Sequence, residues 1–291
     1  MIDLTKSSLS HNTLQAYKQA LTRCEVSIGD WRHISDKDFA KYLTSMFQDG
    51  LSPSTINLAA AALKHSAQLE GLQAPIGHIS KLTLAGISRS TSEKKHGQAK
   101  PVLWEESESI AKSIVSKKMT GLRDAAIFMA SSDALLRRSE VVAINVEDIE
   151  YDDSIALLHI RKSKSDQTGK GAVMFLGELT TEYIQRWIRF AEIDSGALFR
   201  PIYKENVVDR RLCDKTVARI ITRRCKEHGI IGARGHSLRV GGAVSLAASG
   251  GSLVDIQKVG RWESPVMPAK YAANEDAKRG PVARFRYNKK G

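Results

Sequence analysis

The residues best suited to chemistry in this 291-residue chain are concentrated between positions 234 and 274. His236 and Arg239 stand three positions apart there, and Tyr271 follows 32 residues after the arginine. The pattern predicts a helix that Ser237 can cap and that runs to about residue 249. Residues three apart share a helix face, and a helix N-terminus attracts anions. The imidazole, the guanidinium and the helix amides therefore predict a site of the size of a phosphate group.

Two glycines, Gly241 and Gly242, follow inside the same predicted helix. They permit close approach of another backbone but weaken the helix by ~1 kcal/mol each relative to alanine. A His-x-x-Arg pair is also common on protein surfaces. The pair therefore indicates function only if matching residues occur elsewhere in the chain.

A second group of charged residues comes directly after the mostly apolar segment 122–136, which predicts a buried helix. The group contains Arg137, Arg138 and Glu140. An arginine beside a buried segment either forms a structural ion pair or belongs to a functional site. This pattern alone favours the ion pair.

The clearest β region is residues 155–176. Residues 155–160 and 173–176 can pair as antiparallel strands around a long basic loop. The loop contains Lys162, Lys164 and Lys170. Either these lysines solvate the tip of a hairpin, or one of them reaches a groove or a reaction centre.

The composition is that of a basic globular protein. Lys and Arg outnumber Asp and Glu by 44 to 32, which gives a net charge of +12 and a pI near 9.6. This excess favours a nucleic acid partner over a basic protein without a specific partner. A hydrophobic content of 42% excludes a disordered chain, and the length suits two domains.

The three cysteines, Cys24, Cys213 and Cys225, have no metal-ligand spacing. We find no signal peptide, no apolar run of membrane-spanning length and no glycine-rich phosphate loop in the sequence. We therefore expect reduced thiols, no bound metal, no membrane association and a cytoplasmic location.

Residues 10–71 predict a small helical bundle. Three helix starts are marked by cap residues, namely Ser10 or Asn12, Ser35 with Asp36, and Ser52. The third helix is rich in alanine, carries Lys64 toward its end and stops at Gly71. Its outer face could enter a DNA groove or pack within the bundle.

Two further segments are strongly basic. Residues 88–100 lack apolar periodicity and predict a linker, in which Lys94 and Lys95 either follow a phosphate backbone or are solvated. Residues 213–228 predict an amphipathic helix with a basic outer stripe. The stripe is either a solvated face or a DNA-recognition surface, and it consists of Arg219, Arg223 and Lys226.

Together these features resemble the tyrosine recombinase family, the lambda-integrase-like phage integrases, over nearly the whole chain. Residues 136–140 match its Leu-Arg-x-Ser/Ala-Glu box, and residues 235–241 match its Gly-His-Ser-x-Arg-Val-Gly box. Lys164 matches the hairpin lysine of the family. Trp262 falls where the family has His or Trp, and Tyr271 follows it by nine residues, as in Cre-like members.

The resemblance implies a mainly α fold with a small β-sheet (α+β). An N-terminal helical core-binding, SAM-like domain at residues 1–87 would be joined through the linker at 88–100 to a catalytic domain at 101–291. The two domains would form a C-shaped clamp on DNA. An exchange helix at about 281–287 would contact a neighbouring protomer through Val282 and Phe285.

The reaction implied is phosphoryl transfer from DNA to a tyrosine, through a 3′-phosphotyrosyl intermediate and a Holliday junction. The implied catalytic set is Arg137, Lys164, His236, Arg239, Trp262 and Tyr271, supported by Glu140. Tyr271 would attack the phosphate, with His236 as general base and Lys164 as the acid for the leaving 5′ oxygen. The arginines and the tryptophan would bind phosphate oxygens, and no cofactor, metal ion or ATP is implied.

The implied partner is double-stranded DNA with inverted repeats, bound by a homotetramer on two duplexes that is a monomer when free. The implied setting is a prokaryotic cytoplasm. Two other functions fit the same residues. One is a type IB topoisomerase, which uses this chemistry on one duplex, and the other is a non-catalytic DNA-binding derivative of the fold.

One departure from the family pattern is Pro268, three residues before Tyr271. If Ser264 caps this helix, Pro268 removes the first intrahelical amide donor. We therefore expect the first turn to be distorted or to start later, and we hypothesise that Tyr271 lies on a mobile segment.

Overall fold

The computed structural model describes residues 9–92, 99–115, 118–161 and 171–279. Its contacts divide the chain into two units, Met1–Gln98 and Ala99–Gly291, each with its own hydrophobic core. Most described residues are helical, and the strands form two small antiparallel sheets. The mainly α fold with a small sheet is therefore confirmed.

The smaller unit contains four helices, α1 (His11–Ile28), α2 (Asp36–Gln48), α3 (Pro53–Leu69) and α4 (His78–Ser92). The first three begin at the predicted caps, because each serine hydroxyl accepts a hydrogen bond from the amide three residues later. The largest fully buried side chains of this unit are Trp31, Phe39, Leu43, Ile56 and Leu63.

The start of α4 depends on a distant residue, and the sequence pattern does not predict this helix. The carboxylate of Asp36 accepts hydrogen bonds from the amides of Gly77, Ile79 and Ser80, at 2.8, 2.9 and 3.1 Å. These donors are 41 to 44 residues away in sequence. A local pattern therefore does not reveal the cap.

The predicted start of the linker, at residue 88, is too early in the chain, because residues 88–92 are still helical. Helix α4 continues through Ser92, and Ile87 on this helix is buried in the core of the smaller unit. Lys94 and Lys95 lie outside the described residues.

The larger unit is built around α6 (Met119–Asp133), which is buried along residues 121–132. This confirms the predicted buried helix, although it ends three residues before position 136. The other helices of this unit are α5 (Trp104–Ile114), α7 (Arg138–Ala143), α8 (Glu178–Phe190), α9 (Asp214–Glu227), α10 (Ser237–Ala248), α11 (Leu253–Gly260) and α12 (Val266–Arg279).

A three-stranded antiparallel sheet packs beside these helices, with strands β1 (Ile149–Asp152), β2 (Ile155–Ile160) and β3 (Ala172–Leu176). Leu158 of β2 pairs with Met174 of β3, and both side chains are buried. The predicted hairpin is confirmed. Strand β1 is not predicted from the sequence, because it is short and three of its four residues are exposed and lack an apolar pattern. A two-stranded hairpin, β4 (Ile202–Tyr203) and β5 (Asn206–Val207), completes the described strands.

Helix α10 begins differently from the prediction. His236 occupies the N-cap, whereas Ser237 is the first helical residue and is fully buried. The Ser237 hydroxyl does not cap the helix, because it accepts a hydrogen bond from the preceding turn at the Arg234 amide. The predicted close backbone approach is confirmed, since a Cβ atom on Gly241 would lie 1.7 Å from the carbonyl oxygen of Val102.

Candidate active site

The turn between α6 and α7 presents Arg137. Leu135 has a left-handed backbone with φ of 45°, and Arg137 is the N-cap of α7. Buried Glu140 accepts hydrogen bonds from the Arg137 amide at 2.8 Å and from its Nη1 at 2.7 Å. Arg137 Nη2 donates to the Arg261 carbonyl oxygen at 2.9 Å. The guanidinium is thus held on two sides, and its side chain is 17% exposed.

The carboxylate of Glu140 is charged in this setting. Burial raises its pKa, but the charge of Arg261 and hydrogen bonds from Arg137 and Arg261 outweigh burial and lower it. The ion pair that the sequence favoured at this position is therefore present. The same ion pair holds Arg137, whose side chain partly reaches solvent.

Arg239 is buried on α10, with 5% of its surface exposed. Its two terminal nitrogens donate to the carbonyl oxygens of Leu135 and Gly260. The guanidinium carbon lies 4.2 Å from the centre of the Trp262 ring, which is a cation–π contact. Burial and the charges of Arg137 and Arg261 lower the pKa of Arg239 to about 9. Burial is the larger cause of this shift, and the two neighbouring guanidiniums add positive charge that an incoming anion would offset.

Trp262 connects this arginine with Tyr271. The centres of the two aromatic rings are 5.7 Å apart, and their planes are inclined by 52°. The indole lies against Gly260, where a Cβ atom would be 1.6 Å from the ring. Burial raises the pKa of the Tyr271 phenol, and the charge of Arg239 only partly offsets this. The phenol is therefore protonated at neutral pH and needs a base before it can act as a nucleophile.

His236 is exposed at the N-cap of α10. Desolvation and the charges of Arg138, Arg239 and Arg137 lower the pKa of His236 below its ordinary value of 6.5. The imidazole is therefore neutral at neutral pH, which is the form that can accept a proton.

The pH dependence of DNA cleavage should reflect this shift. Neutral His236 is the active form of a general base, so cleavage should fall as pH decreases through its pKa. Because that pKa lies below 6.5, we expect kcat/KM for cleavage to reach half its plateau below pH 6.5. A single-turnover pH profile at low DNA concentration measures this, with His236→Gln as the control that should lose the acidic limb. A half-maximal point at or above pH 6.5 would contradict the prediction.

Arg261 is a member of this cluster that the sequence analysis missed. Its side chain is 8% exposed and forms an ion pair with Glu140 at 2.7 Å. The signal available in the sequence was an arginine directly before Trp262 in a largely apolar segment. Its local pattern resembles a solvated helix end, and only the tertiary contacts distinguish it.

The basic stripe of α9 is exposed as predicted. Arg219, Arg223 and Lys226 line a surface depression of about 680 Å³. Beneath it, the fully buried carboxylate of Asp124 binds Arg223 at 3.0 Å and Arg224 at 2.8 Å. This carboxylate, which the sequence did not single out, fixes α9 to the buried α6. On α3, Lys64 is exposed as well.

Several predicted residues lie outside the described residues, namely Lys162, Lys164, Lys170, Val282 and Phe285. The strand that leads toward Lys164 ends at Ile160, and the chain after it is described up to Arg161. Ile160 and Arg161 line a cavity of about 250 Å³ together with Glu140. The strand that leads to this loop therefore ends beside the Arg137–Glu140 pair.

Pro268 does not break the helix that carries Tyr271. Helix α12 begins at Val266, so Pro268 is its third residue, where an amide has no intrahelical acceptor. The first helical hydrogen bond runs from the Ala269 amide to the Pro265 carbonyl at 2.9 Å. Of the two predicted outcomes, a distorted first turn or a later start, the later start is thus correct. The Ser264 hydroxyl accepts a hydrogen bond of 3.3 Å from the Val266 amide.

Both units match known family models. Residues 104–278 match the phage integrase family, and residues 3–68 match the N-terminal SAM-like domain of phage integrases. The first match alone covers more than half of the chain. The chain belongs to the phage integrase family of tyrosine recombinases. This confirms the resemblance of the sequence boxes and the expected pairing of a SAM-like domain with a catalytic domain.

Relatives of this integrase-family chain are recombinases. An integrase/recombinase XerD homolog of Selenomonas ruminantium is 26% identical over 98% of this chain and 88% of its own length. Recombinase Cre of Escherichia phage P1 is 23% identical over 90% of this chain and 82% of its own length.

Solved structures share the fold of this family member. XerH recombinase bound to its palindromic difH substrate, in a post-cleavage complex, has a TM-score of 0.70 at 17% identity, covering 94% of this chain and 79% of that chain. A lambda integrase dimer bound to a COC′ core site has a TM-score of 0.64 at 17% identity, covering 91% and 89%. Within the described residues no helix is long and apolar enough to span a membrane, and no three His, Cys, Asp or Glu residues are grouped to hold a metal ion.

Proposed function

We propose that this protein is a site-specific DNA recombinase that cleaves and rejoins DNA through a covalent bond to Tyr271. The observation that supports this is the continuous contact from Arg239 through Trp262 to Tyr271. It brings the phenol to an anion-attracting arginine cluster. A phosphate bound to the arginines would lie within reach of the phenol oxygen.

The covalent step exchanges one phosphate ester for another. The phenol oxygen of Tyr271 bonds to phosphorus, and the bond from phosphorus to the 5′ oxygen breaks. His236 accepts the phenol proton, and Lys164 supplies a proton to the leaving 5′ oxygen. Because the 3′-phosphotyrosyl ester conserves the bond energy of the phosphodiester, a 5′ hydroxyl from another duplex can reverse the step without ATP. Two such exchanges pass through a Holliday junction.

Arg137 and Arg239 stabilise the charge that develops on the two non-bridging oxygens. Both are oriented before the substrate arrives, because they donate to the carbonyl oxygens of Arg261, Leu135 and Gly260. Fixed donors of this kind need no reorganisation during the reaction. Trp262 contributes its indole N–H as a further donor, and Glu140 orients the site.

The DNA partner is a duplex with inverted repeats, bound by a homotetramer on two duplexes in a prokaryotic cytoplasm. The exposed stripe of α9 supports DNA contact in the larger unit, and Lys64 on α3 supports it in the smaller unit. We propose that Lys94 and Lys95 also bind the DNA backbone and that Val282 and Phe285 contact the neighbouring protomer. Solved structural neighbours support DNA as the partner, since XerH and lambda integrase are bound to their DNA sites.

The test uses nicked duplexes that trap the covalent product. They carry candidate inverted repeats from DNA flanking the gene, and the short fragment that bears the freed 5′ hydroxyl diffuses away after cleavage. We expect wild type to form a covalent protein–DNA band and Tyr271→Phe to form none while binding the same duplex. Tyr203→Phe, an exposed tyrosine on β4, is the matched control and should retain the band.

Three other outcomes would change the proposal. A band that persists in Tyr271→Phe moves the nucleophile to another residue, first Tyr287. Tight binding by wild type without a band favours the non-catalytic derivative. Covalent adducts that relax supercoils but yield no recombinant product favour the type IB topoisomerase.

A further inference from the structure

Arg261 has a backbone conformation that is unusual for its residue type. It lies at the C-cap of α11 in the left-handed region, with φ of 53° and ψ of 46°. Glycine adopts this conformation without steric cost, and it is the residue most often found where helices end this way. A non-glycine residue held there marks a position where the side chain compensates for backbone strain.

The side chain of Arg261 turns inward and joins several elements. Nη1 donates to the carbonyl oxygen of Ala134 at 3.0 Å and to that of Val259 at 2.8 Å, and it lies 3.0 Å from the sulfur of Met174. Nη2 donates to the Leu135 carbonyl at 3.2 Å. The guanidinium therefore connects the end of α6, the strand β3 and the end of α11. It does so directly before Trp262 in the chain.

Arg261 also holds Arg137 in two ways. Its Nη2 donates to Oε2 of Glu140 at 2.7 Å, while Oε1 of the same carboxylate accepts from Arg137 at 2.7 Å. In addition, the Arg261 carbonyl oxygen accepts from Nη2 of Arg137 at 2.9 Å. Arg137 is thus fixed by the backbone of Arg261 and by a carboxylate that Arg261 orients.

We propose that Arg261 is a positioning residue that sets the orientation of the Arg137 guanidinium toward the scissile phosphate. This rests on the proposed recombinase function. Arg261 is itself almost fully buried, so it acts through Arg137 and Glu140 and does not contact DNA. Without the Arg261 guanidinium, Glu140 would lose one cation, and Arg137 would keep the carbonyl oxygen of residue 261 and a carboxylate that is no longer oriented from its other side.

The test compares Arg261→Gly with wild type on trapping duplexes. Glycine keeps the left-handed backbone without steric cost and removes the whole side chain, including the guanidinium. We expect single-turnover cleavage to slow by about 10- to 100-fold, the range for loss of an orienting partner or a small misplacement of a reacting group. Arg186→Gln removes an exposed arginine on α8 and should leave the rate unchanged.

Substrates with one non-bridging oxygen replaced by a methyl group distinguish positioning from a general loss of structure. One methylphosphonate stereoisomer removes the oxygen that faces Arg137, and the other removes the opposite oxygen. We expect the ratio of the wild-type rate to the Arg261→Gly rate to fall toward one with a single stereoisomer only. The same rate ratio on the phosphate and on both stereoisomers would overturn the proposal.

A double variant covers the case in which Arg261→Gly folds poorly. Arg261→Met with Glu140→Gln removes both buried charges, which avoids an unpaired carboxylate and should restore the thermal midpoint. We expect this variant to fold but to cleave slowly, because Arg137 has lost its charged carboxylate partner and keeps only the carbonyl oxygen of residue 261. Wild-type cleavage by the double variant would overturn the proposal, whereas no adduct from wild type itself would refute the recombinase function instead.

Discussion

Replacement of Arg239 by lysine is expected to slow DNA cleavage by about 100- to 1,000-fold without unfolding the protein. The guanidinium donates to two carbonyl oxygens, those of Leu135 and Gly260, while its flat face lies on Trp262. A planar group can satisfy all three contacts at once. An ammonium is a point charge and cannot form the same set.

The measurement is single-turnover cleavage of a trapping duplex, with DNA affinity and thermal midpoint recorded for each variant. Arg200→Lys is a matched control, since Arg200 also donates to two carbonyls, Ala197 at 3.0 Å and Ser195 at 2.6 Å, and is 14% exposed. It should cleave at the wild-type rate. If Arg239→Lys cleaved within tenfold of wild type, Arg239 would supply charge alone, and its planar geometry would not matter.

Gly241→Ala is expected to destabilise the larger unit by at least ~3 kcal/mol, which corresponds to about 10 °C in melting temperature. The added methyl group would sit 1.7 Å from the Val102 carbonyl oxygen and 2.2 Å from its carbon. Both atoms belong to backbone that cannot rotate away. The helix carrying Arg239 would have to move, so cleavage should fall as well.

Calorimetric unfolding measures this, and Gly177→Ala is the control in the same unit. Gly177 has φ of −70°, and a Cβ atom there would be 3.5 Å from its nearest neighbour, which is ordinary contact. We expect a change below ~1 kcal/mol for the control. Equal melting temperatures for the two variants would mean that α10 can shift away from Val102 without cost.

Residues whose roles depend on local spacing could be predicted from the sequence. The Arg137–Glu140 pair is one helical turn apart, and His236 and Arg239 begin one helix, so nearby sequence is sufficient to associate them. Ser237 is the exception, because its hydroxyl faces the preceding turn and does not cap the helix.

Residues whose partners are distant in sequence could not be predicted. Arg261 meets Glu140 across 121 positions, and Asp124 meets Arg224 across 100. The start of α4 likewise depends on Asp36, more than 40 positions earlier. In each case the sequence shows an ordinary charged residue, and only the folded chain supplies the partner that determines its role.

Because main-chain carbonyls anchor Arg239, the residues that supply them can be substituted in evolution without loss of the anchor. Every residue type has a carbonyl oxygen, so a substitution at Leu135 that preserves its left-handed turn would leave the anchor in place. A carboxylate anchor such as Glu140 permits no such freedom. Leu135 can therefore be exchanged for another residue that fills its buried position and keeps the turn without loss of the geometry of Arg239, whereas Glu140 cannot be exchanged in this way.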